Sequence, residues 1–135
     1  MTSHMEKLLI VDGHNVIHCT DWLNDIHRQD QELGREKLIL ELSEFQAMSD
    51  FSVVLVFDGK GARRGYEGGN QKDILVIYSK TGETADRVIE RIALQQSKKN
   101  DVQVISNDRM VLDSCFASGA HGMSVISLWE LIDRL

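Results

Sequence analysis

The sequence predicts an α/β fold, a three-layer α/β/α sandwich with a mainly parallel central sheet of about five strands. Two observations carry this. Leu8–Val11 is a short apolar run with no polar alternation, the pattern of a strand buried on both faces, and further short, mainly apolar runs follow at Ser52–Phe57, Ile74–Tyr78, Val102–Ile105 and Met123–Ile126. Segments with apolar residues at helical spacing separate most of them. The resulting order, β-α-β-loop-β-α-β-α-β-α, fits a parallel sheet covered by helices on both faces.

Each element has its own signal. The first run stops abruptly at Asp12-Gly13-His14-Asn15. A polar stretch from Thr20 to Leu33 has room for a short helix. Arg35 to Met48 carries Leu38, Leu42 and Phe45 at i, i+4, i+7, an amphipathic helix. The second run ends at Asp58-Gly59. The segment Gly59 to Lys72 is glycine-rich and basic and has no helical pattern, so this connection is expected to be irregular. After the third run, Thr81-Gly82 makes a turn, and Glu83 to Gln96 reads as a helix with Ala85, Val88, Ile89 and Ile92 on one face. The fourth run ends at Ser106-Asn107-Asp108. A short helix follows over Met110 to Phe116, then the fifth run, then a last helix carrying Leu128, Leu131, Ile132 and Leu135.

With 135 residues, 42% hydrophobic and 27% charged, the chain suits one domain with a single core. Residues 1–5 read as an expression-tag remnant, leaving 6–135 as the domain. No apolar run approaches the roughly 18 residues a bilayer span needs, and Leu8–Val11 is far too short for a signal peptide. A cytoplasmic protein with no membrane partner is therefore expected. Cys19 and Cys115 lack metal-ligand spacing and read as buried or half-buried thiols of a reducing compartment. His14 and His18, at i, i+4 after a strand, make a poor zinc pair. Trp22 and Trp129 read as core or rim packing rather than nucleic-acid platforms.

The net charge is −6, which argues against a general nucleic-acid binder. The distribution of charge says more than the sum. Asp12 ends the first strand, Asp58 the second and Asp108 the fourth, while Glu83 and Asp86 open the helix after the third. Ligand sites in such sheets lie beyond the carboxyl ends of the strands, where strand order reverses. Any one of these acids also suits a turn, a helix cap or a helix first turn; recurrence at every strand end does not follow from capping. Clustered carboxylates repel one another unless a cation intervenes. Oxygen ligands without cysteine or histidine spacing select Mg²⁺ or Mn²⁺, and such a site suits phosphodiester hydrolysis. Asn15 either orients water or a phosphate oxygen beside Asp12 or forms an Asx turn. Ser106 and Asn107 read as supporting or turn residues, and Asp73, Glu90 and Asp113 as surface charges. Lys60, Arg63, Arg64, Tyr66 and Lys72 could track a phosphate backbone and stack a base, or form a solvated loop.

Other phosphate chemistries fit poorly. A phospho-acceptor domain wants paired acids after the first strand and a lysine after the fifth; the chain has only Asp12 and no lysine after Ile126. A haloacid-dehalogenase-type phosphatase wants Asp-x-Asp, and position 14 is histidine. No glycine-rich phosphate loop follows the first strand.

Leu8-Leu9-Ile10-Val11-Asp12-Gly13-His14-Asn15-Val16-Ile17, Val54 to Asp58, Tyr78 to Asp86 and Val104 to Asp108 together resemble the YacP-like branch of the NYN domains, bacterial relatives of PIN-domain nucleases. The likeness runs from about Leu8 to Leu135, and Gly82-Glu83-Thr84-Ala85-Asp86 is its most specific element. It implies a PIN-like sheet, a divalent-metal site and endoribonuclease activity. It would make Asp12, Asp58, Asp86 and Asp108 the metal site, with Asn15 and Glu83 in support. Single-stranded RNA, free or within a larger ribonucleoprotein, is the expected partner. Two departures stand out: His14 where the family usually has tyrosine, and a C-terminal segment shorter than in relatives. The competing expectation is a non-catalytic RNA-binding module with the same fold.

Overall fold

The computed structural model describes residues 5–59 and 74–135. The elements are β1 (Lys7–Asp12), α1 (Gly13–His18), α2 (Asp21–Gln29), α3 (Gln31–Met48), β2 (Phe51–Phe57), β3 (Leu75–Tyr78), α4 (Ala85–Gln96), β4 (Asp101–Ile105), α5 (Arg109–Ala117), β5 (His121–Met123) and α6 (Val125–Asp133). All five strands are parallel, in the order β3-β2-β1-β4-β5. The chain starts at the centre, builds outward through β2 and β3, then returns to lay β4 on the other side of β1. The reversal therefore falls between β1 and β4, the place where sheets of this kind bind ligands at their carboxyl ends. Asp12 ends one of these strands and Ser106 follows the other.

Side chains alternate between two apolar layers, as a pleated strand requires. Leu9, Val11, Val53, Leu55, Phe57 and Ile105 face one layer with α1, α2, α3 and α6, through Val16, Leu23, Leu38, Leu42 and Leu128 among others. Leu8, Ile10, Val54, Val56, Val102 and Val104 face the other with α4 and α5, through Val88, Ile89, Ala93, Val111 and Cys115. The predicted three-layer architecture is present, and the sheet is wholly parallel. Among the described residues no helix is long and apolar enough to cross a membrane.

Several boundaries differ from the sequence expectations. The segment after Asp12 is helical at once: α1 starts at Gly13, so His14 and His18 lie on a helix. Gly13 permits this close start, since a Cβ there would run into the Phe57 ring and come 2.9 Å from the Val56 carbonyl oxygen. The polar stretch from Thr20 holds α2, and α3 begins at Gln31 because Asp30 caps it through Leu33 N–H at 3.1 Å. The fifth strand is His121–Met123, not Met123–Ile126. Ser124 accepts a hydrogen bond from Ser127 N–H at 3.1 Å, and that cap turns Val125 and Ile126 into α6. Cys115 is buried as expected, but Cys19 is exposed because it sits at the α1 C-cap. Trp129 packs against the core, donates to Thr20 Oγ1 at 2.9 Å and lies 5.7 Å from the half-exposed Trp22 ring.

Candidate active site

The centre of the site is Asp12, which is only 6% exposed. It has to be there: β1 is the middle strand, and the residue that ends it meets α1 on one side and the β4–α5 turn on the other. Ser106, fully buried, donates its hydroxyl to Asp12 Oδ2 at 2.9 Å and accepts from Asp108 N–H at 3.0 Å. Ser106 thus fastens the turn that carries Asp108 to the carboxylate at the end of β1. Burial pushes the Asp12 carboxyl up from 3.8 to about 6; the Ser106 hydrogen bond opposes that, and the charges of Asp86 and Asp108 add to it.

Asp86 is held by α4. Thr84 caps that helix through Arg87 N–H at 3.2 Å, which puts Asp86 in its first turn. Gly82 makes the approach possible, adopting φ +82° where other residues would be strained. The Asp86 carboxyl is also raised, first by desolvation and then by Asp108, Glu90 and Asp58. Asp108 caps α5 through Met110 N–H at 2.9 Å. Asp58 follows β2 directly, and its backbone makes a hydrogen bond with the half-buried His14. Desolvation lowers the His14 pKa, which keeps its ring neutral at physiological pH. Asp12, Asp86 and Asp108 therefore lie within electrostatic reach of one another, and Asp58 within reach of Asp86.

Asn15 occupies the rim. Its side-chain oxygen accepts from Asn107 N–H at 2.6 Å, and Asn107 in turn accepts from Val125 N–H at 2.9 Å. These bonds tie α1, the β4–α5 turn and α6 together, so Asn15 braces the turn bearing Asp108 and is not closed into an Asx turn of its own loop. Glu83 precedes α4 instead of opening it, because Thr84 takes the cap. Its carboxylate is turned to Arg91 Nη1 at 2.6 Å and receives Lys80 N–H at 3.4 Å; the Arg91 hydrogen bond leads the lowering of its pKa. Glu83 thus faces along α4 and is absent from the charges that raise Asp12 and Asp86. Lys60, Arg63, Arg64, Tyr66, Lys72 and Asp73 lie outside the described residues. Sequence reasoning undervalues Glu90, which is partly buried and acts on Asp86 and on Cys115. Its spacing of four from Asp86 is the available signal. Burial, with Glu90, Asp86 and Asp12 nearby, pushes the Cys115 thiol to about 11, so it is an inert core group.

Among the described residues no group of three or more histidine, cysteine, aspartate or glutamate side chains is placed to hold a metal ion by itself. The donor chemistry nevertheless fits Mg²⁺ or Mn²⁺. Mg²⁺ keeps several waters and uses one or two carboxylates together with substrate phosphates, so it does not need three converging side chains. The carboxyls of Asp12 and Asp86 are raised first by desolvation and then by neighbouring carboxylates, and a cation beside them would favour their charged forms.

An all-parallel sheet with acids beside the carboxyl ends of its strands fits a PIN-like α/β domain. Comparison with known proteins refines this: the model of the YacP-like NYN domain matches residues 9–135, and the chain belongs to that family. It is 30% identical over 131 residues to the Bacillus subtilis (strain 168) protein named "Uncharacterized protein YacP", covering 95% of this chain and 76% of that one. It also superposes on crystal structures of Rae1 (YacP) from Bacillus subtilis. The W164L mutant gives a TM-score of 0.79 and the other structure 0.78, each at 28% identity over 94% of this chain and 74% of that one.

Ser106→Ala gives a specific expectation. Removing the hydroxyl takes away the one side-chain hydrogen bond that opposes the upward shift at Asp12, so the Asp12 pKa rises above about 6. The acidic limb of a pH–rate profile should move to higher pH, with activity down roughly 10–100-fold, the usual cost of removing a partner that orients a metal ligand. An unmoved profile would remove Ser106 from the site.

Proposed function

We propose that this chain is a divalent-metal-dependent endoribonuclease acting on single-stranded RNA in the cytoplasm, free or within a larger ribonucleoprotein. The observation that carries the proposal is the buried, elevated Asp12 carboxyl facing Asp86 and Asp108 at the switch point. Such a carboxylate is costly to the fold unless a cation shares its charge. Asp12, Asp58, Asp86 and Asp108 would hold Mg²⁺ or Mn²⁺. Bound there, the metal supplies charge neutralisation at the phosphate and an acidified water. Ser106 keeps Asp12 oriented, Asn15 and Asn107 fix the turn that carries Asp108, and the neutral His14 stands beside Asp58. Water attacks phosphorus in line, the bond to the 3′ oxygen breaks, and the products carry a 5′-phosphate and a 3′-hydroxyl. Lys60, Arg63, Arg64, Tyr66 and Lys72, next to Asp58 in sequence, are proposed to contact the RNA backbone and a base.

The test is cleavage of end-labelled single-stranded RNA with Mg²⁺ or Mn²⁺, against an EDTA control and against Asp86→Asn. Metal-dependent cleavage that drops roughly 10³-fold or more in the variant, about 4 kcal/mol of transition-state stabilisation, is expected. Metal-dependent RNA binding without turnover would point instead to the non-catalytic RNA-binding module.

A further inference from the structure

A groove runs along α4 away from the acidic centre. It has a volume of about 750 Å³ and is lined by Gly82, Glu83, Thr84, Arg87, Glu90, Arg91 and Leu94 of the α4 side and by Ser114 and Ser118 of α5 and its C-cap. That size suits a small-molecule or nucleotide-sized ligand. Its link to the acids is Glu90, which lines the groove and acts electrostatically on Asp86 one turn earlier on α4.

The charged lining of the groove is balanced, Arg87 and Arg91 against Glu83 and Glu90, and the two cations have different occupations. Arg91 is tied to Glu83 at 2.6 Å. Arg87 is exposed and, among the described residues, forms no ion pair. The two arginines are four residues apart on α4, so they stand on one face about 6 Å apart along the axis, the order of the spacing between neighbouring phosphates of an extended strand. Leu94, 51% exposed, adds an apolar ledge one turn further on, and the Ser114 and Ser118 hydroxyls stand opposite. A row of arginines with an apolar ledge and facing hydroxyls matches a chain of phosphate, base and ribose.

We propose that the α4–α5 groove carries the RNA strand on one side of the scissile bond, with Arg87 taking a phosphate directly and Glu83 standing in for the next phosphate on Arg91. Glu83 would then be an anion placeholder that the RNA displaces. This rests on the ribonuclease proposal for the acidic centre and extends it to the substrate path.

The experiment is fluorescence anisotropy with a labelled 12-nucleotide single-stranded RNA in Mg²⁺. All proteins carry Asp12→Asn so that the probe survives, and a salt series is taken for each. Arg87→Ala should weaken binding about tenfold and flatten the salt dependence by about 0.7 in slope, as neutralising one phosphate fewer requires. Glu83→Gln should tighten binding several-fold by freeing Arg91. Lys37→Ala, on α3 across the sheet, should change nothing. Unaltered affinity and slope in Arg87→Ala, weaker binding in Glu83→Gln, or no RNA binding at all would overturn the groove. The two proposals fail separately. If the parent chain cleaves RNA while Arg87→Ala binds it normally, the groove alone is refuted. If Arg87→Ala and Glu83→Gln behave as expected but the parent chain cleaves no RNA, catalysis alone is refuted.

Discussion

Asp12→Asn is expected to abolish metal-dependent RNA cleavage and, in the absence of metal, to make the protein more stable. The two effects have one origin. Burial leads the shift of the Asp12 carboxyl from 3.8 to about 6, so the folded chain holds a proton there more tightly than the unfolded chain does. The sign follows: stability falls as pH rises from about 3.8, and the loss is complete above about 6. A shift of that size corresponds to roughly 3 kcal/mol at neutral pH, an upper figure that local relaxation reduces. Asparagine has no charge to desolvate, and its side-chain oxygen can still accept from Ser106. Urea unfolding in EDTA should therefore show the variant about 1–3 kcal/mol more stable than the parent at pH 7.5, the difference shrinking toward pH 4. Added Mg²⁺ should raise the stability of the parent chain and not that of the variant. Equal stabilities at both pH values would show that Asp12 carries no such burden.

Phe57→Ala should have the largest effect on the fold. The ring is fully buried. It stacks on Tyr78 at 5.6 Å and meets His14 edge-on at 5.5 Å, and Gly13 packs so closely against it that no Cβ fits. Removing it opens a cavity where β1, β2, β3 and α1 converge, a change that typically costs about 3–5 kcal/mol. The same change loosens the strand end that presents Asp58 and the start of α1 that follows Asp12. Denaturant unfolding should show the loss in midpoint, and the variant's residual folded fraction should cleave RNA poorly. A loss below about 1 kcal/mol would mean the aromatic cluster is not what fixes this corner.

The sheet and the placement of the four acids beside its strand ends are legible in the sequence because each rests on a local signal. A strand buried on both faces is largely apolar, so β1, β2 and β4 announce themselves, and the acid at or shortly after the end of each lies at the carboxyl edge of the sheet. Asp86 is legible through its place behind the Thr81-Gly82 turn. The rest depends on competition between neighbours. Val125 and Ile126 look like strand until the Ser124 cap is counted, and α1 lacks a long amphipathic pattern because it is only six residues and packs through Gly13. The bonds from Ser106 to Asp12 and from Asn107 to Asn15 span 94 and 92 residues, and no local pattern encodes a contact at that separation. Glu83 looks like a member of the acidic group because a carboxylate beside Asp86 suggests shared duty. The Thr84 cap and Arg91 eight residues on direct it along α4 instead.

The most direct test of the acidic centre is a calorimetric titration of Mn²⁺ into this chain and into Asp12→Asn at pH 7.5, since it presumes no RNA sequence. Saturable binding to the parent chain, weakened at least tenfold in the variant, is the result expected if Asp12 shares its charge with a metal at the strand ends. The same isotherm for both proteins would contradict a metal centre built on Asp12.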